Sequence, residues 1–260
     1  MTSAALAVAG VVAQIAYPLL SGPALTAATV AGVVLFAAAG LAHATSVAGL
    51  TRAAAVFALA WVATGLVEAV GVTSGLPFGA YEYAGDGRLG PQLLGVPVLV
   101  PVAWSMLAYP ALLLARRLGT GRAARALLGG GTLTGWDLFL DPQMVAAGHW
   151  RWLSISGGAH GLPGVADVPV TNYLGWFAVG SALTLALDAV LPENPSATGD
   201  LAPALVLGWT WLGSTVGNLT FFDRPAVAAY GFVGLGLFVL PYLRSLTPGP
   251  QARALAEVTR

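Results

Sequence analysis

The 260-residue chain contains no cysteine and no lysine. The first absence excludes disulfides, thiolate metal sites and cysteine nucleophiles. The second excludes Schiff-base chemistry on a lysine amine. Charge of either sign is scarce, at 8% of residues, where a soluble globular chain carries roughly 25%. The 11 acidic residues are balanced by 11 basic ones, every one an Arg, so the net charge gives no argument for nucleic acid or for acidic partners. Apolar residues fill the gap, at 57% of the chain with a mean hydropathy of +0.79. A soluble domain of this length has no use for so much apolar surface. The composition specifies an all-α, polytopic integral membrane protein, a helical bundle forming a single transmembrane domain over residues 1–260.

A helix that crosses a bilayer needs about 20 apolar residues. Eight stretches approach this, at 4–20, 24–43, 53–73, 96–115, 124–147, 172–191, 201–222 and 226–243, and the first and fifth are the weakest. The first lacks the basic start and cleavage site of a signal peptide and reads as a retained helix. Eight spans put Arg52, Arg116, Arg117, Arg122, Arg125, Arg244, Arg253 and Arg260 on one side and only Arg88, Arg151 and Arg224 on the other. Excess Arg marks the cytoplasmic side, so both termini are expected there, in a multi-pass protein of the cell membrane. Two long, patterned connections, 75–95 and 148–171, then fall on the outer face.

Against this apolar background stand Asp137 and Asp141, in Trp136-Asp137-Leu138-Phe139-Leu140-Asp141-Pro142. Their i, i+4 spacing puts both carboxyls on one helix face, about 5–6 Å apart. A low dielectric disfavours two charges so close, so the pair is expected to share a proton at neutral pH. Acids at membrane depth are costly and usually functional. The alternatives are an ion pair with Arg151 or Arg224, or a helix-terminus ligand. Pro142 disfavours helix at the residue before it, which would leave one acid in a helix and the other at a break. Glu68, in the third span, is either a proton partner of this pair or half of a salt bridge to an Arg of another helix.

The first connection holds Gly75-Leu76-Pro77-Phe78-Gly79-Ala80-Tyr81-Glu82-Tyr83, then Gly95-Val96-Pro97, with Trp104 following inside the fourth span. The second holds His149, Trp150, Arg151, Trp152, His160 and Val168-Pro169-Val170-Thr171-Asn172-Tyr173-Leu174-Gly175-Trp176. Together with the segment around the Asp pair, this order of motifs over residues 68–176 resembles the membrane-bound carotenoid biosynthesis family of carotenoid hydratases, of the gamma-carotene hydratase and bisanhydrobacterioruberin hydratase type. The resemblance implies a membrane hydro-lyase that adds water across a terminal isoprenoid C=C of a carotenoid to give a tertiary alcohol. It implies an acyclic or monocyclic carotenoid as substrate, the lipid bilayer as solvent, and other carotenoid biosynthesis enzymes as candidate partners.

That chemistry needs a general acid able to protonate carbon, a site tolerant of a tertiary cation, and one delivered water. Asp137 or Asp141 is the expected acid. The faces of Tyr81, Tyr83, Trp104, Trp136, Trp150, Trp152 and Trp176 are the expected substrate-binding surface, where a cation gains roughly 1–2 kcal/mol from each desolvated ring. Glu82, His149, Asn172 and Gln143 are four candidates for positioning the water and taking its proton, and the sequence does not rank them. No nucleotide or flavin motif is present, and hydration involves no redox change, so no cofactor is expected. A carotenoid is about as long as the hydrocarbon core is thick, so the site must open sideways to lipid or form a long groove.

Plainer readings accompany each of these residues. Tyrosines and tryptophans near span ends are also the ordinary interfacial belt. His43, at the cytoplasmic end of the second span, reads as packing. His149 and His160 lack the spacing of a metal site, and no metal is expected. Asp223-Arg224-Pro225 reads as a turn. Gly32, Gly40, Gly231, Gly234 and Gly236 fit close helix packing. Two other functional classes use similar features: a proton-coupled transporter, disfavoured by the lack of two similar halves, and a protein that only holds a carotenoid, for which the Asp pair would be dispensable.

The topology is directly testable because the chain has no native cysteine. With Thr120→Cys and Ser156→Cys as single variants in intact cells, a membrane-impermeant thiol reagent should label position 156 and spare position 120. The reverse pattern would invert the arrangement.

Overall fold

Long apolar runs of Ala, Leu and Val, punctuated by Gly and Pro, fold into helices that close at those punctuation marks. The computed structural model describes residues 2–153, 161–192 and 200–247; His160, Ser156, Arg253 and Arg260 lie outside them. Eight α-helices appear among the described residues: α1 Ser3–Ala16, α2 Gly22–Ala48, α3 Leu50–Ser74, α4 Leu99–Leu118, α5 Arg122–Ala146, α6 Val170–Val190, α7 Leu201–Thr220 and α8 Pro225–Leu246. Each matches one of the eight stretches read from the sequence, within a few residues. Five of them, α2, α3, α4, α6 and α8, are long and apolar enough to cross a membrane by themselves. The chain is an all-α, multi-pass membrane protein.

The helix that carries the acids is not among those five. α5 is shielded instead, packed closely against α4, α6 and α8. Glycine makes this approach possible. A Cβ on Gly130 would sit 2.7 Å from the Phe177 carbonyl oxygen of α6, and one on Gly135 would sit 2.7 Å from Leu235 Cα of α8. In both cases the obstacle is backbone, which cannot step aside. The facing glycines of α8 do the reciprocal job, Gly231 under the Phe139 ring and Gly234 under Leu138. α4 is the other hub and touches α2, α3, α5, α6, α7 and α8, with Leu107, Ala111, Leu112 and Leu114 fully buried.

Pro142 does not break α5, contrary to the sequence expectation. The helix runs on to Ala146, so both Asp137 and Asp141 are helical. A proline inside a helix removes one N–H and crowds the preceding turn. Three packed neighbours hold α5 in place at a cost that an isolated helix could not bear.

The two long connections contain short strands: β1 Tyr81–Tyr83, β2 Gln92–Leu93, β3 Val96–Pro97, β4 Trp150–Trp152, β5 Gly161–Leu162 and β6 Val165–Pro169. The first connection leaves α3 through Gly75 in the left-handed conformation at φ 76°, a common helix end. The second leaves α5 through Gly148 at φ 69°. They converge, because β1 pairs antiparallel with β4, Tyr81 opposite Trp152 and Tyr83 opposite Trp150. At the other end of the bundle the arginines tie helix ends together. Arg116 and Arg125 meet Asp188, and Arg117 meets Asp200 and the Ser245 hydroxyl.

The backbone contact at Gly135 predicts a specific stability defect. Gly135→Ala should lower stability by about 1–3 kcal/mol, the usual cost of overpacking, seen as a lower melting temperature in detergent. Gly121→Ala, where a Cβ meets open space, should leave it unchanged.

Candidate active site

Asp137 and Asp141 point from α5 into the bundle, and both are buried. Asn172, in the first turn of α6, stands over them. Its Nδ2 donates to Asp137 Oδ2 at 2.7 Å and also to Asp141 Oδ2. Trp150 of β4 donates its Nε1 hydrogen to Asp141 Oδ1 at 3.1 Å. Asp137 Oδ1 is buried with no hydrogen-bond partner. The arginines once considered as partners are engaged elsewhere: Arg151 with Glu82, and Arg224 over the Phe222 ring at 5.5 Å. Two carboxyls therefore crowd one neutral amide with no cation bonded to either among the described residues, an arrangement that favours one shared proton over two charges.

A second acid lies on the same cavity. Glu68 of α3 accepts from the Tyr81 hydroxyl, from the Tyr83 hydroxyl at 2.8 Å and from Trp104 Nε1 at 2.8 Å. Of the two sequence readings of Glu68, the salt bridge to an Arg is not what its carboxyl makes. Burial, reinforced by the neighbouring Glu68 charge, pushes both phenols well above the ordinary tyrosine range. They keep their protons and remain donors.

Strand alternation explains which residues of β1 reach the site. Successive side chains of a strand point to opposite faces, so Tyr81 and Tyr83 face inward and Glu82 faces away. Glu82 pairs with Arg151 across the strands, Nε to Oε1 at 2.6 Å, and is largely solvent-facing. His149 also stands apart from the acids. It packs under the loop where Arg88 pairs with Asp86 and donates to the Ala147 and Gly148 carbonyls, and burial, helped by Arg88, holds its pKa below the usual histidine value. Neither Glu82 nor His149, both expected beside the Asp pair, lines the cavity that Asp141 faces. Tyr81 and Tyr83 turn to Glu68, and among the described residues of the two connections the Trp150 indole bonds to Asp141.

A cavity of about 490 Å³ joins these elements. At its polar end lie Glu68, Asp141, Asn172 and Gln143. Of the two aspartates only Asp141 lines it; Asp137 sits behind. All seven aromatic residues read as substrate-binding line the cavity too. Trp104 and Trp176 stack at 3.6 Å and 8°, and Trp136 meets Trp176 edge-on at 5.5 Å. Tyr83 abuts Trp150 at 5.7 Å, and Tyr81 abuts Trp152 at 5.9 Å. From there an apolar arm runs to α1, α2 and α7, past Gln14, Gly32, Trp209 and Leu212. Sequence reasoning missed this arm because its residues are indistinguishable from ordinary membrane-helix composition. Among the described residues no group of three His, Asp or Glu side chains could hold a metal ion.

These features define a class of protein: a helical membrane protein in which paired acids open onto an aromatic-walled, otherwise apolar cavity. Comparison with known proteins narrows it. The sequence model of the carotenoid biosynthesis protein family matches residues 28–241, and the chain belongs to that family. It is 39% identical over 127 residues to bisanhydrobacterioruberin hydratase of Haloarcula japonica. That match covers 47% of this chain and 40% of the relative. No solved structure matches.

The site predicts two contrasting stability effects. Asn172→Leu strips both carboxyls of their shared donor and should destabilise by about 1–3 kcal/mol or more. Glu82→Gln breaks only an exposed pair worth under about 1 kcal/mol. Thermal unfolding of the solubilised variants checks the contrast, and equal losses would contradict this placement of the two residues.

Proposed function

We propose that this protein is a carotenoid hydratase, a hydro-lyase that adds water across a terminal isoprenoid C=C of an acyclic or monocyclic carotenoid to give a tertiary alcohol. The observation that carries the reading is the position of Asp141. It is buried, shares the Asn172 amide with Asp137, and is the member of the pair that faces the aromatic cavity. The family and the hydratase relative support it.

Asp141 gives the shared proton to the less substituted alkene carbon, forming a C–H bond and leaving a tertiary cation on its neighbour. Asp137 lies behind and holds the remaining charge close to the developing cation. The walls formed by Trp104, Trp136, Trp150 and Trp176 present π-faces and exclude bulk water, each desolvated face contributing roughly 1–2 kcal/mol to cation stability. Water held near Gln143 and Asn172 closes the C–O bond. None of these steps changes an oxidation state overall, so the reaction as drawn calls on side chains alone.

The remainder of the carotenoid leaves through the apolar arm. Ile15, Leu19, Leu212, Val216 and Phe221 line the cavity and are also exposed on the flank formed by α1 and α7. In the cell membrane that flank faces lipid, so the end group reaches the acids while the polyene stays in the bilayer.

Production of the protein in a strain that makes an acyclic carotenoid should yield pigments one or two waters heavier. Asp141→Asn and Asp137→Asn should each reduce the yield by at least about a hundredfold, the scale of a lost general acid. An unchanged pigment mass with the intact, folded protein would overturn the reading in favour of a carrier or a pigment-holding protein.

A further inference from the structure

The mechanism so far leaves the water's proton without an acceptor, because Glu82 and His149 stand outside the cavity and the Asn172 amide is spent on the Asp pair. One other acid lines the cavity. We propose that Glu68 is the general base of the site, taking the proton from the attacking water while the Asp pair supplies the proton to carbon. This rests on the hydratase reading above.

Geometry separates the two acid centres. The Glu68 carboxyl collects three donors from three different side chains: Tyr81 and Tyr83 on Oε2 and Trp104 on Oε1. An indole N–H can only donate, and two phenols converging on one oxygen suit an acceptor with full lone pairs. Such a shell supports a carboxylate. The Asp pair is served less well: two acids share one amide between them, the Trp150 indole reaches Asp141 alone, and a buried Asp137 oxygen has no partner among the described residues. Environments this different on neighbouring carboxyls are how one site assigns an acid and a base. The two centres face one cavity and are linked along its wall, since Tyr83 on Glu68 abuts Trp150 on Asp141 at 5.7 Å. A cation formed between them lies between an anion and an aromatic wall.

The step balances. The alkene π-bond breaks as carbon takes the proton of the Asp pair. The oxygen of water bonds to the cationic carbon, and its released proton goes to the Glu68 carboxylate. Transfer of that proton back to the Asp pair through cavity water restores the starting state. The Tyr81 and Tyr83 hydroxyls are positioning groups that hold the carboxylate toward the water.

Solvent deuterium distinguishes the acid step from the water step. Protonation of the alkene by the Asp pair in D2O, followed by loss of hydrogen from the same carbon back to the pair, leaves a vinylic deuterium in unhydrated pigment. With Glu68→Gln in membranes supplied with an acyclic carotenoid, alcohol formation should fall by at least about a hundredfold while recovered alkene still gains deuterium. Asp141→Asn should abolish both. Tyr83→Phe, which removes one donor and keeps the ring, should lower the ratio of alcohol to deuterated alkene and so tests the same assignment if Glu68→Gln does not fold. Normal alcohol formation in Glu68→Gln, equal loss of both products, or an unchanged ratio in Tyr83→Phe would overturn the role of Glu68. Absence of any alcohol from the unaltered protein would instead overturn the hydratase reading itself.

Discussion

Three buried carboxyls, with no cation bonded to them among the described residues, are the constraint around which this protein is organised. A buried acid needs hydrogen bonds or a counter-charge, because its desolvation costs several kcal/mol otherwise, roughly speaking. The ion pairs observed use other acids: Asp86, Asp188, Asp200 and Glu82. Glu68, Asp137 and Asp141 depend instead on neutral donors, namely one asparagine, two tyrosines and two tryptophans. Those donors come from α4, α6, β1 and β4, so the bonds that satisfy the acids also tie both long connections to the helix bundle.

The scaffold meets that demand by making α5 an interior helix. Gly130 and Gly135 allow α6 and α8 to approach to backbone contact, which removes lipid from the acid face and places Asn172 over both carboxyls. A side chain at either glycine would push a neighbouring helix away. The aromatic residues then have two duties at once. Trp104 and Trp150 donate through their indole nitrogens and also line the cavity. Rings tethered at one edge are held in place, as the proposed cation-stabilising role requires.

Much of this was legible in the sequence, because membrane helices announce themselves by length and apolarity. The eight spans, the Asp137/Asp141 pair, Asn172 and the seven aromatic residues of the cavity were all readable. Pro142 misled, since its local preference against helix was overridden by the packing of α5 among three neighbours. The placement of Glu82 away from the cavity was legible in another way. Its charge drew notice, yet the Tyr-Glu-Tyr alternation of 81–83 already implied that the tyrosines and the glutamate would face opposite ways once the segment paired as a strand. Glu68 was visible as an intramembrane acid, but its three donors come from positions 81, 83 and 104, and spacing alone does not bring those together. The apolar arm along α1 and α7 left no signal at all, because a cavity wall and a lipid-facing wall use the same residues.

The proposed mechanism requires that the Asp pair hold one proton in an apolar site while Glu68 is ionised. Infrared spectroscopy of the membrane-reconstituted protein at neutral pH reads this directly, since a protonated carboxyl has a C=O stretch that a carboxylate lacks. One carboxylic-acid band is expected, lost in Asp137→Asn or Asp141→Asn and retained in Glu68→Gln. A spectrum with no such band, or a band that disappears only with Glu68→Gln, would contradict it.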